Sequence, residues 1–453
     1  MESVRVAGGA AIDPEDMDRA ICLCMRVAEA LARGVRPRLS EEGSGGTYVL
    51  KDLAVFKPLD EEAFAPLNPR GHVGALGSPS LRRGIRSGEA AQREVAAYRI
   101  DRGGVEGVCA GVPLTVIGEL QHPALSYPMD APALDMKKGS LQEFVLFDEI
   151  AGDLSPKFFP VKEVHKIAVL DIRLVNSDRN DGNILVRKTE SGSLKLVPID
   201  HGYILPDVLE IAWCDWVWLD WPHVKQPFSL DMLNLIEDID IERDAAVLRS
   251  LDIREECILN MKATTTLLKK GAEAGMTLHQ IAKVICRDNL DAPSLLEMSL
   301  AQARVLASKC VELKMKSPTK STKISPLELM EVSESSGCEP RRSSASSAEL
   351  LQKVSEVDLL EFLNLLLDEL VSRKCSGGSS KKRGQGVWGR TESLIPAGTS
   401  CYVARSFAFG PEIASGSPQD SLASTEDDTS SGLVDEDAKS LPPGSPGLFR
   451  MSI

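Results

Sequence analysis

Three separated stretches of the chain carry side chains suited to moving a phosphoryl group. In the first, an apolar periodic segment runs through Asp171 into the polar loop Asn176-Ser177-Asp178-Arg179-Asn180-Asp181-Gly182-Asn183, and the apolar Ile184-Leu185-Val186 follows. A carboxylate such as Asp178 can orient or deprotonate an attacking hydroxyl. An amide oxygen five positions on, that of Asn183, can hold a metal ion, and this D-x-x-x-x-N spacing serves phosphoryl transfer. In the second stretch, Val197-Pro198-Ile199 delivers Asp200, with Gly202 two residues later. A carboxylate and an amide, completed by phosphate oxygens and water, suit octahedral Mg²⁺. The 17 residues from Asn183 to Asp200 are what one hairpin needs to bring both ligands together. The third is Lys57 at the end of Val55-Phe56-Lys57, with Glu94 37 residues on in a helical pattern. A strand lysine paired to a helix glutamate can neutralise the phosphates of ATP. Just upstream, Gly43-Ser44-Gly45-Gly46 forms a turn whose glycines let backbone N–H groups approach phosphates.

Each signal alone is common: glycine turns make hairpins, strand-end lysines are solvated, and Asp and Asn cap helices. Their order along the chain is what favours a phosphotransferase over those structural roles. A hydrolytic metal site on Asp178, Asp200 and His201 is the weaker alternative, since no H-E-x-x-H spacing accompanies it.

The elements needed to position these groups are legible. A helix is expected over Asp18–Arg33. A hairpin joins Thr47–Leu50 to Leu53–Lys57 through Lys51-Asp52. Pro58 to Gly88, rich in Gly, Pro, Ser and Arg, reads as a long loop. Gly88–Ile100 is helical, with Ala91, Val95 and Tyr98 on one face. Val112–Ile117 and Met136–Phe147 read as strands, the latter crossing between two lobes. Val161–Asn176 is a helix, and Ile184–Val186 with Leu194–Ile199 makes a second hairpin. Only helical patterns follow: Leu233–Ile239, Arg243–Leu251, Arg254–Lys270, Leu278–Ile285 and Pro293–Leu313. A β-rich part thus precedes a helical part, as in a two-lobed enzyme with ligand between the lobes.

The bulk numbers exclude some classes. The chain has 453 residues, 43% hydrophobic, with a formal net charge of −14. That balance argues against a nucleic-acid binder, whose footprint is basic. Ten scattered cysteines without a CxxC pair read as reduced thiols of an intracellular protein. The N-terminal stretch lacks the apolar run of a secretory signal, and no segment is long and apolar enough to span a bilayer. The expected location is therefore cytoplasmic or at a membrane periphery. From residue 316 the composition turns to Ser, Gly, Pro and charge, and Ser343–Ser347 and Ser415–Ser445 read as disordered. The exception is 348–373, an apolar-rich helix expected to dock on the folded domain or on a protein partner.

At these residues the sequence resembles the phosphatidylinositol 3-/4-kinase superfamily, in particular the plant-type gamma group of phosphatidylinositol 4-kinases. The strings GTYVL, VFKPLDEEAFAPLNPRG, KKGSLQEFV, VHKIAVLDIRLVNSDRNDGNILV and LVPIDHGYILPD carry the likeness, which spans about residues 40 to 310. The resemblance implies an α+β, two-lobed kinase-like fold. It implies an N-terminal extension over 1–39, a catalytic domain over 40–315 (N-lobe about 40–140, C-lobe about 146–315) and a tail over 316–453. It makes Gly43, Ser44, Gly45, Gly46, Thr47 and Tyr48 the phosphate-covering loop, with Lys57 and Glu94 as the phosphate-contacting pair. Gln142, Glu143, Phe144 and Val145 become the hinge that meets adenine. Asp178 heads the catalytic loop, and Asn183 and Asp200 are the metal ligands. The implied cofactors are ATP and Mg²⁺, and the implied acceptor is the inositol 4-hydroxyl of phosphatidylinositol, with a protein Ser or Thr as alternative. The superfamily loop reads Asp-Arg-His where this chain has Asp178-Arg179-Asn180. Asn180 can hydrogen-bond but cannot shuttle a proton at neutral pH, so lowered activity, or a nucleotide-binding scaffold, is a further expectation. Trp213, Trp216, Trp218 and Trp221 read as core packing rather than a membrane edge. Arg82, Arg83 and Arg86 read as a solvated loop rather than a lipid-headgroup contact.

Overall fold

A computed structural model describes residues 14–102, 109–129, 133–316, 355–375 and 448–451. The expected disordered tracts at Ser343–Ser347 and Ser415–Ser445, and residues 348–354 of the expected tail helix, lie outside the described residues. The two-lobed α+β arrangement is present.

The N-lobe is an antiparallel sheet of six strands, β1 (Arg38–Leu39), β2 (Tyr48–Leu50), β3 (Ala54–Pro58), β4 (Thr115–Gln121), β5 (Lys137–Glu143) and β9 (Leu448–Met451), in the order β1-β2-β3-β5-β4-β9. In β3 alternate residues are buried, so Ala54 and Phe56 enter the core while Val55 and Lys57 face the other way. Its register against β5 sets Lys57 opposite Ser140 and Pro58 opposite Gly139. A Cβ on Gly139 would collide with the Lys57 carbonyl, so only glycine lets β5 run this close to the lysine. Helix α1 (Pro14–Ala32) packs beside β9 and buries Leu23, Val27 and Leu31, and Tyr98 donates to Asp16 at 2.8 Å. Helix α2 (Ala90–Arg102) packs on β4 and β5. Strand β4 begins three residues later than the pattern Val112–Ile117 indicated. The Asp101 carboxylate accepts the N–H groups of Ala110, Gly111 and Val112 at 2.7–2.9 Å, so a side chain, not a ladder, satisfies that stretch.

The C-lobe opens with a small sheet, β6 (Glu149–Ile150), β7 (Ile184–Lys188) and β8 (Leu194–Pro198), and the long helix α3 (Val161–Leu174). Helix α3 ends two residues before the apolar pattern does, because Val175 takes a left-handed conformation at φ 50°. A β-branched residue is strained there, and the turn it forces sends the chain into the polar loop 176–183. Helices α4 (Leu230–Glu237), α5 (Ile241–Ser250), α6 (Glu255–Glu273), α7 (Leu278–Ile285) and α8 (Leu295–Lys316) complete the lobe. Ser229 and Asp240 cap α4 and α5, and Thr277 with Gln280 forms a capping box on α7. Trp216, Trp218 and Trp221 are buried, the first two stacked with centroids 4.9 Å apart, while Trp213 is exposed.

The tail helix α9 (Glu356–Cys375) lies against α6 and α8. Leu359, Phe362, Leu363, Leu366, Leu367, Leu370 and Val371 are buried at helical spacing, and Lys262–Glu356 (2.7 Å) and Lys270–Asp368 (2.5 Å) flank them. Ser355 caps it, accepting the Asp358 N–H at 3.1 Å.

Candidate active site

Lys57 points from β3 into the cleft. Its Nζ meets Glu94 Oε1 at 2.5 Å and Asp200 Oδ1 at 2.9 Å. Burial alone would lower the lysine pKa, but Asp200 and Glu94 more than reverse this and hold the ammonium charged above its usual range. For Glu94, burial opposes ionisation, yet Lys57 and the His201 N–H keep its carboxyl well below the usual carboxylate range. Helix α2 carries Glu94, and Glu62 fixes the start of that helix. The Glu62 carboxylate accepts the N–H groups of Gly88 (2.7 Å), Ala90 (3.1 Å) and Ala91 (3.3 Å).

The polar loop 176–183, the expected catalytic loop, is tied down by Arg179, which is fully buried. Its Nε bonds to the buried Asp171 of α3 at 3.0 Å, and its Nη1 donates to the carbonyls of Asn183 (2.7 Å) and Ile199 (2.9 Å). One guanidinium therefore holds together the residue that precedes β7 and the residue that precedes Asp200. Asp171 also accepts from Asn176 at 2.8 Å and from the Trp218 indole at 2.9 Å. Arg179 Nη2 lies 3.0 Å from His201 Nε2. The arginine can only donate, so Nε2 accepts and the ring proton sits on Nδ1, 3.8 Å from Glu94. His201 is thus a buried link between Arg179 and Glu94, which removes it from the alternative metal site.

Asn183 donates from its amide nitrogen to the Asp178 carbonyl at 3.1 Å, which leaves the amide oxygen for a metal. The Ile199 N–H bonds to the Asn183 carbonyl at 3.0 Å, so Asp200 follows directly beside Asn183, as the hairpin spacing required. Asp200 has φ 55° and a half-exposed side chain, with Oδ2 not used by Lys57. Asn180 is exposed and accepts the Asn183 N–H at 3.1 Å, capping the short turn Asp181–Asn183. Asp178 takes Arg82 Nη2 on Oδ1 at 2.5 Å. Burial raises its pKa, and Arg82 acts in the opposite direction.

The glycine turn closes over this group. Asn68 donates to the Ser44 carbonyl at 2.9 Å, the Gly46 N–H to the Glu61 carbonyl at 2.9 Å, and the Ser44 hydroxyl lies 3.3 Å from the Tyr203 hydroxyl across the cleft. A Cβ on Gly46 would strike the Glu61 carboxylate, so that position requires glycine. Thr47 is held through its carbonyl, which accepts the Ser40 N–H at 2.7 Å. The Tyr48 side chain is buried, its hydroxyl donating to Glu61 at 2.6 Å, and its backbone lies in the sheet between Leu39 and Phe56, so Tyr48 supports the turn from beneath. In the segment expected to form the hinge, the buried Gln142 amide donates to Thr115 at 2.9 Å. The N–H groups of Glu143 and Phe144 go to the Leu114 and Leu53 carbonyls, leaving Val145 as the donor that can meet a base.

Sequence reading placed Lys57, Glu94, Asp178, Asn183 and Asp200 individually. It missed Arg179, Asp171, Glu61, Glu62, Asn68 and Tyr203, which act through burial and long-range contact. It also left Arg82 and Arg83 in solvent, whereas they reach Asp178 and Asp215, and Glu210.

The chain is similar in sequence to known kinases. The family Phosphatidylinositol 3- and 4-kinase matches residues 50–281. The chain is 40% identical over 297 residues to phosphatidylinositol 4-kinase gamma 2 of Arabidopsis thaliana, covering 61% of this chain and 54% of that protein. It is 41% identical over 293 residues to gamma 4 of the same plant (61% and 51%) and 41% over 288 residues to gamma 4 of Oryza sativa subsp. japonica (60% and 49%). The chain spans about half the length of these curated relatives. With the matched region extending over the cleft from β2 to α7, the chain belongs to the phosphatidylinositol 3- and 4-kinase family, with its likeness falling on the plant gamma group.

Proposed function

We propose that the chain is an ATP-dependent phosphotransferase acting on phosphatidylinositol at the inositol 4-hydroxyl. The convergence of Lys57 on Glu94 and Asp200, beside Asp178 and Asn183, carries this reading. The residues fit ATP and Mg²⁺. Lys57 and the turn Gly43–Gly46 would hold phosphates, and the Asn183 amide oxygen with the Asp200 carboxylate would hold the metal. Among the described residues no group of three or more His, Cys, Asp and Glu forms a protein cage, in keeping with a metal that takes most ligands from phosphate and water. Bound magnesium supplies charge neutralisation on the phosphates.

This chain's residues do the rest. Lys57, kept charged by two carboxylates, fixes the donor end. Asp178 accepts the proton of the attacking hydroxyl and aims its oxygen. Arg179 keeps Asp178, Asn183 and Asp200 in register, so catalysis is chiefly positioning. The names of the relatives point to the lipid acceptor. Because that acceptor lies in a membrane and no described helix is long and apolar enough to cross one, the reading calls for peripheral contact.

Asn180 favours a second reading, a nucleotide-binding scaffold with little turnover. Incubation of the full chain with phosphatidylinositol vesicles and Mg·ATP, followed by product identification, decides between them. Phosphatidylinositol 4-phosphate is the expected product. A 3-phosphate would overturn the regiochemistry, and absence of any product with bound ATP would favour the scaffold.

A further inference from the structure

Arg82 sits in the irregular segment between β3 and α2, remote in sequence from the catalytic loop, yet it reaches that loop. Nη2 donates to Asp178 Oδ1 at 2.5 Å and Nη1 to Asp215 Oδ1 at 3.1 Å. The two carboxylates differ in kind. Asp215 is buried, its Oδ2 accepts the Ala212 N–H at 2.8 Å, and its carbonyl accepts the Arg179 N–H at 2.9 Å. It is a fixed anchor. The Asp178 side chain is 25% exposed and that of Arg82 39%, so their contact opens to solvent where an acceptor hydroxyl must enter.

The guanidinium engages Asp178 Oδ1 and leaves Oδ2 open to a hydroxyl, and its charge weakens the carboxylate as a proton acceptor. Transfer of Nη2 to an anion on the arriving acceptor would free Oδ1 as well, while Nη1 stays with Asp215. The freed side of the planar fork then lies beside the reacting hydroxyl, and such a fork binds phosphate oxygens two at a time. The acceptor proposed above carries an anionic phosphodiester on the same inositol ring as that hydroxyl. Of the other cations named at the cleft, Lys57 is held by Glu94 and Asp200, Arg179 is buried, and Arg83, although more exposed, is directed to Glu210 at 2.7 Å and not to Asp178.

We propose that Arg82 is a specificity residue that binds the phosphodiester of the acceptor headgroup, exchanging Asp178 for it while Asp215 holds the guanidinium in place. This rests on the phosphatidylinositol reading. An inositol ring that carries a phosphodiester is thereby favoured, and an uncharged acceptor gains nothing from Arg82.

The test uses the full chain with Mg·ADP and measures binding of glycerophosphoinositol, the headgroup without its lipid tails, and of free inositol. Arg82→Ala is expected to weaken glycerophosphoinositol binding about tenfold or more, Arg82→Lys to recover part of it, and inositol to bind weakly and equally to all three. In turnover with phosphatidylinositol vesicles, Arg82→Ala should raise the KM for lipid and leave the KM for ATP within about twofold. Equal headgroup affinity in the parent chain and Arg82→Ala, or no headgroup binding by the parent chain, overturns the proposal. So does a fall in kcat with unchanged lipid KM, which would make Arg82 only a positioning group for Asp178. A parent chain that binds the headgroup through Arg82 but transfers no phosphate to it refutes the proposed function and leaves the role of Arg82 standing.

Discussion

Removing the Arg179 guanidinium would leave the Asp171 carboxylate buried without its cation and the Asn183 and Ile199 carbonyls without their donor. Breaking one side of such a buried pair costs about 3–5 kcal/mol. Arg179→Ala is therefore expected to lower unfolding stability by that amount in urea titration. Arg179→Lys, with one ammonium in place of a fork that spans four partners, should fold but transfer phosphate slowly. A wild-type denaturation midpoint for Arg179→Ala would show that the knot is dispensable. At Asn180 the structure gives a local reason for the residue, the cap on Asp181–Asn183. Asn180→His is expected to raise turnover by supplying a group that can carry a proton near the reacting centre, at a stability cost of about 1 kcal/mol for the altered cap. Unchanged turnover with intact ATP binding would argue that residue 180 has no chemical role. The residues that bear charge toward the cleft were legible in sequence because their spacing repeats a chemical logic. Arg179 was not, since an arginine between two polar residues carries no mark of burial. Whether it is solvated depends on Asp171, Trp218 and His201, which only the fold brings around it.

Among the elements, α2 is the most instructive. Its face pattern placed the helix, and Glu94 on it, from sequence. The reason it starts where it does lies in Glu62, 28 residues before Ala90, and a carboxylate reaching across a long irregular segment leaves no sequence signal. Burial pushes the Glu62 carboxyl up from 4.5 to about 7, against the lowering effect of the helix N–H groups. Its pKa is higher folded than unfolded, so the folded state holds the proton more tightly between those values. The resulting contribution to stability is full below about pH 4.5 and is lost as pH rises through about 7, by on the order of 3 kcal/mol at most. Glu62→Gln removes that titration. Urea unfolding at pH 5 and pH 8 should show the wild type losing stability relative to Glu62→Gln across the interval; parallel curves would place the Glu62 pKa near its ordinary value. The irregular segment itself was recognised as a loop, but its arginines were left in solvent because composition cannot say that Asp178, Asp215 and Glu210 stand opposite.

At the scale of the whole molecule, the order of β-rich and helical parts gave the two lobes, and the apolar spacing of the tail marked a helix that needs a surface to cover. The covered surface is α6 and α8, with seven apolar side chains of α9 buried against them. Truncating one of the largest, Phe362→Ala, removes about 3–5 kcal/mol of packing. Hydrogen exchange should quicken across α9 while β7 and β8 keep their protection; uniform quickening would mean that the helix and the C-lobe unfold as one unit. The cleft between the lobes is where every chemical argument meets, and its central claim is phosphate transfer to lipid through Asp200. The most direct measurement supplies the full chain with labelled Mg·ATP, phosphatidylinositol vesicles in one reaction and a generic protein acceptor in another, each beside Asp200→Ala. Label in the lipid that disappears with Asp200→Ala is the result expected. Label confined to protein, or label in lipid that survives Asp200→Ala, would contradict it.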